Sequence, residues 1–266
     1  MGFFFFLLVL YDVCVTFRKL LLLLGGAGLV ASLTFTVWMM FGQGQPSTGS
    51  NLSFQNLPLN QSTNSDAISY VALGDSYTVG QGVPPAESWP AQLTDAVRAE
   101  GTDLSLERTL AGSGWRTEEL IEQGLPFLAS IQPQFATVMI GTNDMIRGVP
   151  PEVFRQNLGL ILDTLSEYMP PQRIILITIP DYFATPGGQR YVREDVDSQE
   201  YLITFNDIIK REAETRGIAL VDITDLSREL GIDPDRLTVD GFHPSAAGYS
   251  RWVQLITPTV VRLLAE

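Results

Sequence analysis

From residue 67 onward, apolar runs of strand length alternate with longer segments of helical length. The runs of strand length are residues 67–74, 104–110, 135–141, 173–179 and 217–223. The helical segments are 88–100, 117–131, 151–169, 198–217 and 244–266. Strands that alternate with helices form parallel sheets with both faces covered. The pattern therefore predicts an α/β fold, a three-layer α/β/α sandwich around a mostly parallel five-stranded sheet.

The N-terminal region has a different pattern. Residues 20–41 form an uncharged, mostly apolar run, which as a helix at ~1.5 Å per residue is long enough to cross a ~30 Å hydrocarbon core. Arg18 and Lys19 precede this run, and the next basic residue is Arg98. The positive-inside rule then predicts a signal anchor, with residues 1–19 in the cytoplasm or at its membrane interface and the rest of the chain outside. A cleaved signal peptide is the alternative, although its apolar region is usually shorter and no cleavage site follows here.

The segment that follows, residues 42–66, contains no Lys or Arg and is rich in Gly, Ser, Asn, Gln and Pro. This composition predicts a disordered linker. It leaves residues 67–266 as one domain, which we expect to be monomeric. The only cysteine is Cys14, so the part of the chain after the anchor can form no disulfide and no thiolate metal site.

Charge excludes one class of partner. Residues 42–266 carry 15 basic and 29 acidic side chains, a net charge of −14. A domain this acidic is not expected to hold nucleic acid or anionic lipid by electrostatic attraction. The charge therefore predicts no nucleic-acid partner, and solubility is the ordinary explanation for it.

Candidate chemistry begins where the first predicted strand ends, in "YVALGDSYTVGQGV" at residues 70–83. Ser76 could be a turn residue or a nucleophile, because Gly, Asp and Ser are all common in turns. The only histidine, His243, could be a base for this serine, or it could belong to a cap of the last helix with Pro244 at the first helical position. Asp240 stands three residues before His243, a spacing that lets a carboxylate orient the imidazole.

Two further stretches could supply hydrogen-bond donors. "MIGTNDM" brings Asn143 to the edge of the sheet where Ser76 lies, so its amide could stabilise an oxyanion. "LAGSGWRTEEL" contains Gly112 and Gly114, whose backbone N–H groups could face a cavity. Each of these residues could also belong to an ordinary loop.

The sequence lacks the signature motifs of several other enzyme classes. The nucleophile elbow G-x-S-x-G is absent, because Thr78 stands where its second glycine would be. The dinucleotide motif G-x-G-x-x-G is also absent, with Thr117 and Pro85 at the third glycine of the two near matches. A single histidine makes a zinc site improbable. We therefore expect neither a metal nor a cofactor.

Taken together, four blocks resemble the SGNH (GDSL-type) hydrolase family of lipases, esterases and acylhydrolases. The blocks "GDSYTVG", "GSGWRT", "GTND" and "DGFH" occur in the family's order, and the resemblance covers residues 68–262. It implies that Ser76 is the nucleophile, His243 the general base and Asp240 its orienting partner. Tyr77 departs from the name-giving motif, which has Leu there.

The resemblance also implies an ester substrate, which could be a small molecule, a lipid or a glycan. It further implies an oxyanion hole, whose donors would be the backbone N–H groups of Ser76 and Gly114 and the side chain of Asn143. Tyr77, Trp115 and Phe242 flank these residues and are expected to contact the substrate. Residues 180–201 are long enough to roof the site.

The function we expect is a membrane-anchored, extracytoplasmic serine esterase that hydrolyses lipid, aryl or acetylated-sugar esters through an acyl-enzyme. An O-acyltransferase acting on cell-envelope glycans would use the same triad and is the alternative. A non-catalytic binding module is a third possibility, which the complete set of catalytic residues disfavours.

Overall fold

The computed structural model describes residues 67–195 and 197–265 of the 266-residue chain. Within these residues, no helix combines the length and the apolar composition that crossing a bilayer requires. The predicted anchor at 20–41 and the predicted linker at 42–66 lie outside the described residues.

The centre of the domain is a sheet of five strands, and every neighbouring pair is parallel, as predicted. The strands are β1 Ile68–Gly74, β2 Leu104–Ala111, β3 Phe135–Met139, β4 Ile174–Ile177 and β5 Ala219–Val221. Their spatial order is β2-β1-β3-β4-β5. Strand β5 is shorter than the predicted 217–223, because Gly217 ends the preceding helix in a left-handed conformation and the side chain of Asp222 accepts hydrogen bonds from two threonines.

The α-helices of the described residues include three that the hydrophobic pattern did not predict: two short helices that follow β1 and β3, and one after β5. They are α1 Ser76–Val79, α2 Trp89–Ala99, α3 Thr117–Glu119, α4 Leu128–Ile131, α5 Thr142–Ile146, α6 Pro151–Ser166, α7 Ser198–Arg216, α8 Thr224–Gly231 and α9 Ala246–Leu264.

Two predicted helices need correction. The segment 117–131 is interrupted between α3 and α4 by a π-helical turn and a 3₁₀ turn, at Leu120–Gly124 and Leu125–Phe127. Pro126 lies in the second turn, and it has no N–H to continue an α-helix. The last helix begins at Ala246, not at Pro244, because the side chain of Ser245 caps it by accepting a hydrogen bond from the backbone.

The topology explains where a site can form. From β1 the chain crosses to β2 on one side, and from β2 it crosses back over β1 to β3. Because such crossovers are right-handed, the two connections lie on opposite faces of the sheet. Accordingly α2 packs with α9, and α6 packs with α7 through Phe154 and Phe205, whose rings are 4.6 Å apart. The strand order reverses between β1 and β3, and ligands of open α/β sheets bind at such a point.

Candidate active site

Ser76 lies where β1 turns into the four-residue helix α1. Asp75 caps this helix, since its Oδ1 accepts a hydrogen bond of 3.0 Å from the backbone N–H of Tyr77. Ser76 is 6% exposed. Because it is the first residue of the helix, its backbone N–H has no partner within the helix. The turn thus presents a hydroxyl and an N–H at the carboxyl edge of the sheet.

The structure brings Ser76, His243 and Asp240 into one hydrogen-bonded line. His243 Nε2 is 2.8 Å from Ser76 Oγ, and His243 Nδ1 is 2.7 Å from Asp240 Oδ2. An ionised carboxylate can only accept, so Nδ1 carries the proton and donates to Asp240. Nε2 of the neutral imidazole is then an acceptor for the Ser76 hydroxyl. This tautomer is the one that a histidine needs to remove the serine proton.

The carboxylate of Asp240 is held by its own loop. Oδ1 accepts from the backbone N–H groups of Phe242 and His243, at 2.7 and 3.0 Å, and from the Thr238 hydroxyl at 2.7 Å. Burial by itself raises the pKa of Asp240, but these hydrogen bonds and the one from the His243 side chain lower it to about 2. Asp240 is therefore ionised at neutral pH.

The imidazole of His243 lies between two aromatic rings. The ring of Phe242 meets it edge-on at 4.7 Å between centroids, and the ring of Tyr77 is tilted at 5.0 Å. The residue is only 4% exposed. Burial lowers the pKa of His243 from its usual 6.5, and this effect exceeds the opposing one of Asp240, which raises the pKa. His243 is thus mostly neutral at pH 7 and able to act as a base.

The block "GSGWRT", residues 112–117, forms the glycine loop, which follows β2 and ends at the first residue of α3. Gly114 has a φ of +78°, a left-handed conformation that favours glycine. Gly112 serves a purpose that the sequence did not indicate. The indole of Trp115 covers it so closely that a Cβ atom there would be 2.3 Å from the ring. The two glycines thus permit the loop to turn and to bury one face of Trp115.

Asn143 joins this loop to the end of β3. It is the second residue of α5, and its Nδ2 donates a hydrogen bond of 2.9 Å to the carbonyl of Trp115. An amide nitrogen carries two hydrogens, so one remains for a ligand. The next residue, Asp144, accepts two hydrogen bonds from Thr117. From the sequence we predicted no role in the site for Asp144 or Thr117, although a carboxyl shortly after the end of a buried strand was a usable signal.

The three aromatic residues that we expected to contact a substrate differ in exposure. Tyr77 is 2% exposed and packs against Phe242, His243 and Trp252. Phe242 is also buried, whereas Trp115 is half-buried. Tyr77 and Phe242 therefore support the imidazole, and Trp115 is the ring with more surface available to a ligand.

The segment expected to roof the site packs beside the His243 loop. The backbone N–H of Gly187 donates to the carbonyl of Gly241 at 2.7 Å, and Arg190 Nη2 donates to the carbonyl of Asp240 at 3.3 Å. These contacts tie residues 180–201 to the loop that carries the histidine.

Comparison with known proteins identifies the family. The sequence profile of the GDSL-like lipase/acylhydrolase family matches residues 72–251. The chain belongs to this family. It is a serine hydrolase that acts on ester bonds. It is 26% identical over 200 residues to an arylesterase of Vibrio mimicus, an alignment that covers 73% of this chain and 88% of that protein.

Two solved structures share the fold of this GDSL hydrolase. The crystal structure of TesA has a TM-score of 0.60 and 24% identity, covering 73% of this chain and 99% of TesA. The esterase EstA from Pseudoalteromonas sp. has a TM-score of 0.58 and 19% identity, covering 74% of this chain and 99% of EstA. At these identities the likeness establishes the fold alone.

In the described part of this hydrolase, no group of three or more His, Cys, Asp or Glu side chains is arranged to hold a metal ion. The expectation that the enzyme uses no metal stays a prediction.

Proposed function

We propose that this hydrolase cleaves carboxylic esters through an acyl-enzyme on Ser76. The observation that carries the proposal is the continuous line of hydrogen bonds from Ser76 Oγ to His243 Nε2 at 2.8 Å and from His243 Nδ1 to Asp240 Oδ2 at 2.7 Å. The serine is weakly nucleophilic at its ordinary pKa, so it needs a neutral base at this distance. The lowered pKa of His243 keeps that base neutral at pH 7.

In the first step, Nε2 takes the hydroxyl proton as Ser76 Oγ bonds to the ester carbonyl carbon. The resulting imidazolium then gives the proton to the leaving alcohol oxygen as the C–O bond breaks. In the second step, Nε2 takes a proton from water as the water oxygen bonds to the acyl carbon. The imidazolium then gives this proton to Ser76 Oγ as the bond between Oγ and the acyl carbon breaks. Asp240 keeps the ring in the correct tautomer and stabilises the imidazolium throughout.

The oxyanion formed in each step needs donors at the same edge of the sheet. We assign them to the backbone N–H groups of Ser76 and Gly114 and to the free hydrogen of Asn143 Nδ2. All three residues follow strands that are neighbours in the sheet, β1, β2 and β3. Donors held in advance at the position where charge develops stabilise the transition state, and the loss of one costs about 10² to 10³ in kcat in a well-studied protease.

For the substrate we propose an ester with a small acyl or aryl group beside Trp115. The two rings that contact His243, those of Phe242 and Tyr77, are buried and offer little surface to a long acyl chain, whereas the indole of Trp115 is half-buried. The relative from Vibrio mimicus is named as an arylesterase, which agrees with a compact aromatic ester. A series of p-nitrophenyl esters from acetate to palmitate measures this preference, and we expect kcat/KM to fall as the acyl chain lengthens.

The same acyl-enzyme could transfer its acyl group to a sugar hydroxyl, which would make the protein an O-acyltransferase. The assay that separates the two reactions compares ester turnover with and without an added glycan acceptor. Hydrolysis predicts free acid in both. Acylated glycan as the main product would establish the transferase.

We also propose that the domain is held outside the cytoplasm by residues 20–41. The proposal rests on the uncharged run and on Arg18 and Lys19 before it. Protease added to intact cells should release the hydrolase domain by cutting within residues 42–66. Recovery of a soluble chain that begins near Gly42 would instead establish a cleaved signal peptide.

The experiment that tests the catalytic assignment is Ser76→Ala. We expect kcat on p-nitrophenyl acetate to fall by about 10⁴-fold or more, while the melting temperature stays close to that of the wild type. Ser130→Ala is the matched control, because Ser130 is exposed and its hydroxyl bonds only to the carbonyl of Phe127. A Ser76→Ala protein that retains activity would show that Ser76 is not the nucleophile.

A further inference from the structure

The short helix α5 contacts the glycine loop at a point that the catalytic steps do not use. Asp144 is 1% exposed, and its carboxylate accepts two hydrogen bonds from Thr117, the first residue of α3, at the end of the loop. The backbone N–H of Thr117 donates to Oδ2 at 2.9 Å and its hydroxyl donates to Oδ1 at 2.6 Å. The two residues are 27 positions apart in the sequence. A buried carboxyl therefore joins the end of β3 to the loop that follows β2.

The donors and acceptors of this contact are fixed. Asn157 Nδ2 donates to Thr117 Oγ1 at 3.0 Å, so the threonine hydroxyl accepts from Asn157 and gives its only hydrogen to Asp144. Both carboxylate oxygens must then accept. The contact suits an ionised Asp144, and a proton on either oxygen removes one of the two acceptors.

A second contact from the same helix end strengthens the connection. Arg147, which follows α5, donates from Nη2 to the carbonyl of Gly114 at 3.1 Å. Together with Asn143 on Trp115 and Asp144 on Thr117, the region from 143 to 147 holds the loop at three of its four residues from 114 to 117. The loop is thereby fixed relative to the side chain of Asn143.

We propose that Asp144 is the positioning residue of the oxyanion hole, which sets the backbone N–H of Gly114 relative to Asn143 by holding Thr117. The proposal rests on the proposed function, since it assigns a support to donors that the catalytic steps require. A helix of five residues and a glycine-containing loop have little stability alone. Misplacement of a catalytic group by about 1 Å can cost about 10²-fold in rate.

The surroundings of Asp144 make its charge sensitive to pH. Burial raises the pKa of Asp144 to about 6, while the hydrogen bonds from Thr117 and the positive charge of Arg116 oppose that rise. Burial raises the pKa of Asp75, and the charge of Asp144 raises it further. A cavity of about 330 Å³ is lined partly by Arg116, Glu118 and Asp144. Below pH 6 the loop therefore loses an anchor.

The first test is Asp144→Asn. The new side chain has the same size but only one acceptor oxygen, so we expect kcat at pH 8 to fall about 10- to 100-fold with KM changed less than about threefold. A positioning role also predicts that Asn143→Ala and Asp144→Asn combined lower kcat by less than the product of their separate effects, because both act on one oxyanion hole. Asp181→Asn is the matched control. Asp181 is also a 1% exposed acid, but it bonds to Arg228 and Gln199, so its effect should multiply with that of Asn143→Ala.

Two further readouts separate positioning from a loss of folding. Thr117→Val removes the hydroxyl and should lower kcat as Asp144→Asn does, whereas Thr117→Ser keeps the hydroxyl and should restore most of the rate. In the pH profile of kcat/KM, the limb assigned to His243 should remain in Asp144→Asn, and the slope below pH 6 should fall by one proton.

An unchanged kcat in Asp144→Asn, or losses that multiply with Asn143→Ala, would overturn the positioning role. If Asp144→Asn does not fold, the Thr117→Val and Thr117→Ser pair decides the question by the same kcat criterion. Failure of the proposed function itself looks different, because Ser76→Ala would then retain activity. Failure of the oxyanion assignment alone would leave kcat unchanged in Asn143→Ala.

Discussion

The two sides of the catalytic serine are held in different ways. On the histidine side, the carboxylate of Asp240 is fixed by partners two or three residues away, namely Thr238, Phe242 and His243. On the oxyanion side, the loop that carries Gly114 is fixed by residues 27, 28 and 33 positions away in the sequence. Hydrogen bonds between residues this close in the sequence should be little affected by substitutions elsewhere in the domain. Contacts between the ends of two strands depend on the whole sheet, so the oxyanion side should respond to more distant substitutions.

The largest effect should come from the charge at the centre of the histidine side. Asp240→Asn should lower kcat by about 10³- to 10⁴-fold, because the amide allows the wrong tautomer and no longer stabilises the imidazolium. Since Asp240 raises the pKa of His243, its removal should also move the acid limb of kcat/KM to lower pH. Both are measured in a pH–rate profile on p-nitrophenyl acetate.

The control for this substitution is Asp235→Asn, an exposed acid whose change alters the net charge equally. It should leave the profile in place. Equal losses from the two variants would mean that net charge, and not the contact with His243, governs the rate.

An intermediate effect is expected on the oxyanion side. Asn143→Ala should lower kcat by about 10²- to 10³-fold with little change in KM, because the donor acts on charge that exists only in the transition state. Gln156→Ala, which removes a surface amide bonded to Glu152, is the comparison. If KM rose and kcat were unchanged, Asn143 would be a ground-state binding residue.

The smallest effect tests whether the three hydrogen bonds to Asp240 Oδ1 share the task of holding the carboxylate. Thr238→Val removes one of the three hydrogen bonds to Asp240 Oδ1, and a hydrogen bond to a charged group contributes about 1.5–3 kcal/mol. We expect kcat to fall about 12- to 160-fold at most, and Thr238→Ser to retain the wild-type rate. A loss as large as that of Asp240→Asn would show that the local contacts do not share the task.

This difference also explains what the sequence could predict. The parallel five-stranded sheet followed from hydrophobic runs, and the Asp240–His243 contact followed from a three-residue spacing, because both depend on local patterns. The hydrogen bonds of Asp144 to Thr117 depend on two strand ends that meet only in the folded sheet. Such contacts leave no periodic signal in one sequence.

The aromatic residues show the same limit. The sequence places Tyr77, Trp115 and Phe242 beside catalytic residues, but it does not distinguish a ring that packs under an imidazole from one that faces a ligand. The interruption of the predicted helix 117–131 has a local cause, since Gly124 and Pro126 lie inside it. The prediction followed the spacing of the apolar residues and gave too little weight to these two helix-breaking residues.

The most direct test of the Ser76–His243 pair is the rate of covalent labelling by a p-nitrophenyl alkylphosphonate, followed by mass spectrometry from pH 4 to 8. We predict one adduct, on Ser76, formed at a rate that rises with pH through a midpoint below 6.5, because burial lowers the pKa of His243 and the neutral ring is the base. An adduct on another residue, or a rate on Ser76 that does not change across this range, would contradict the account.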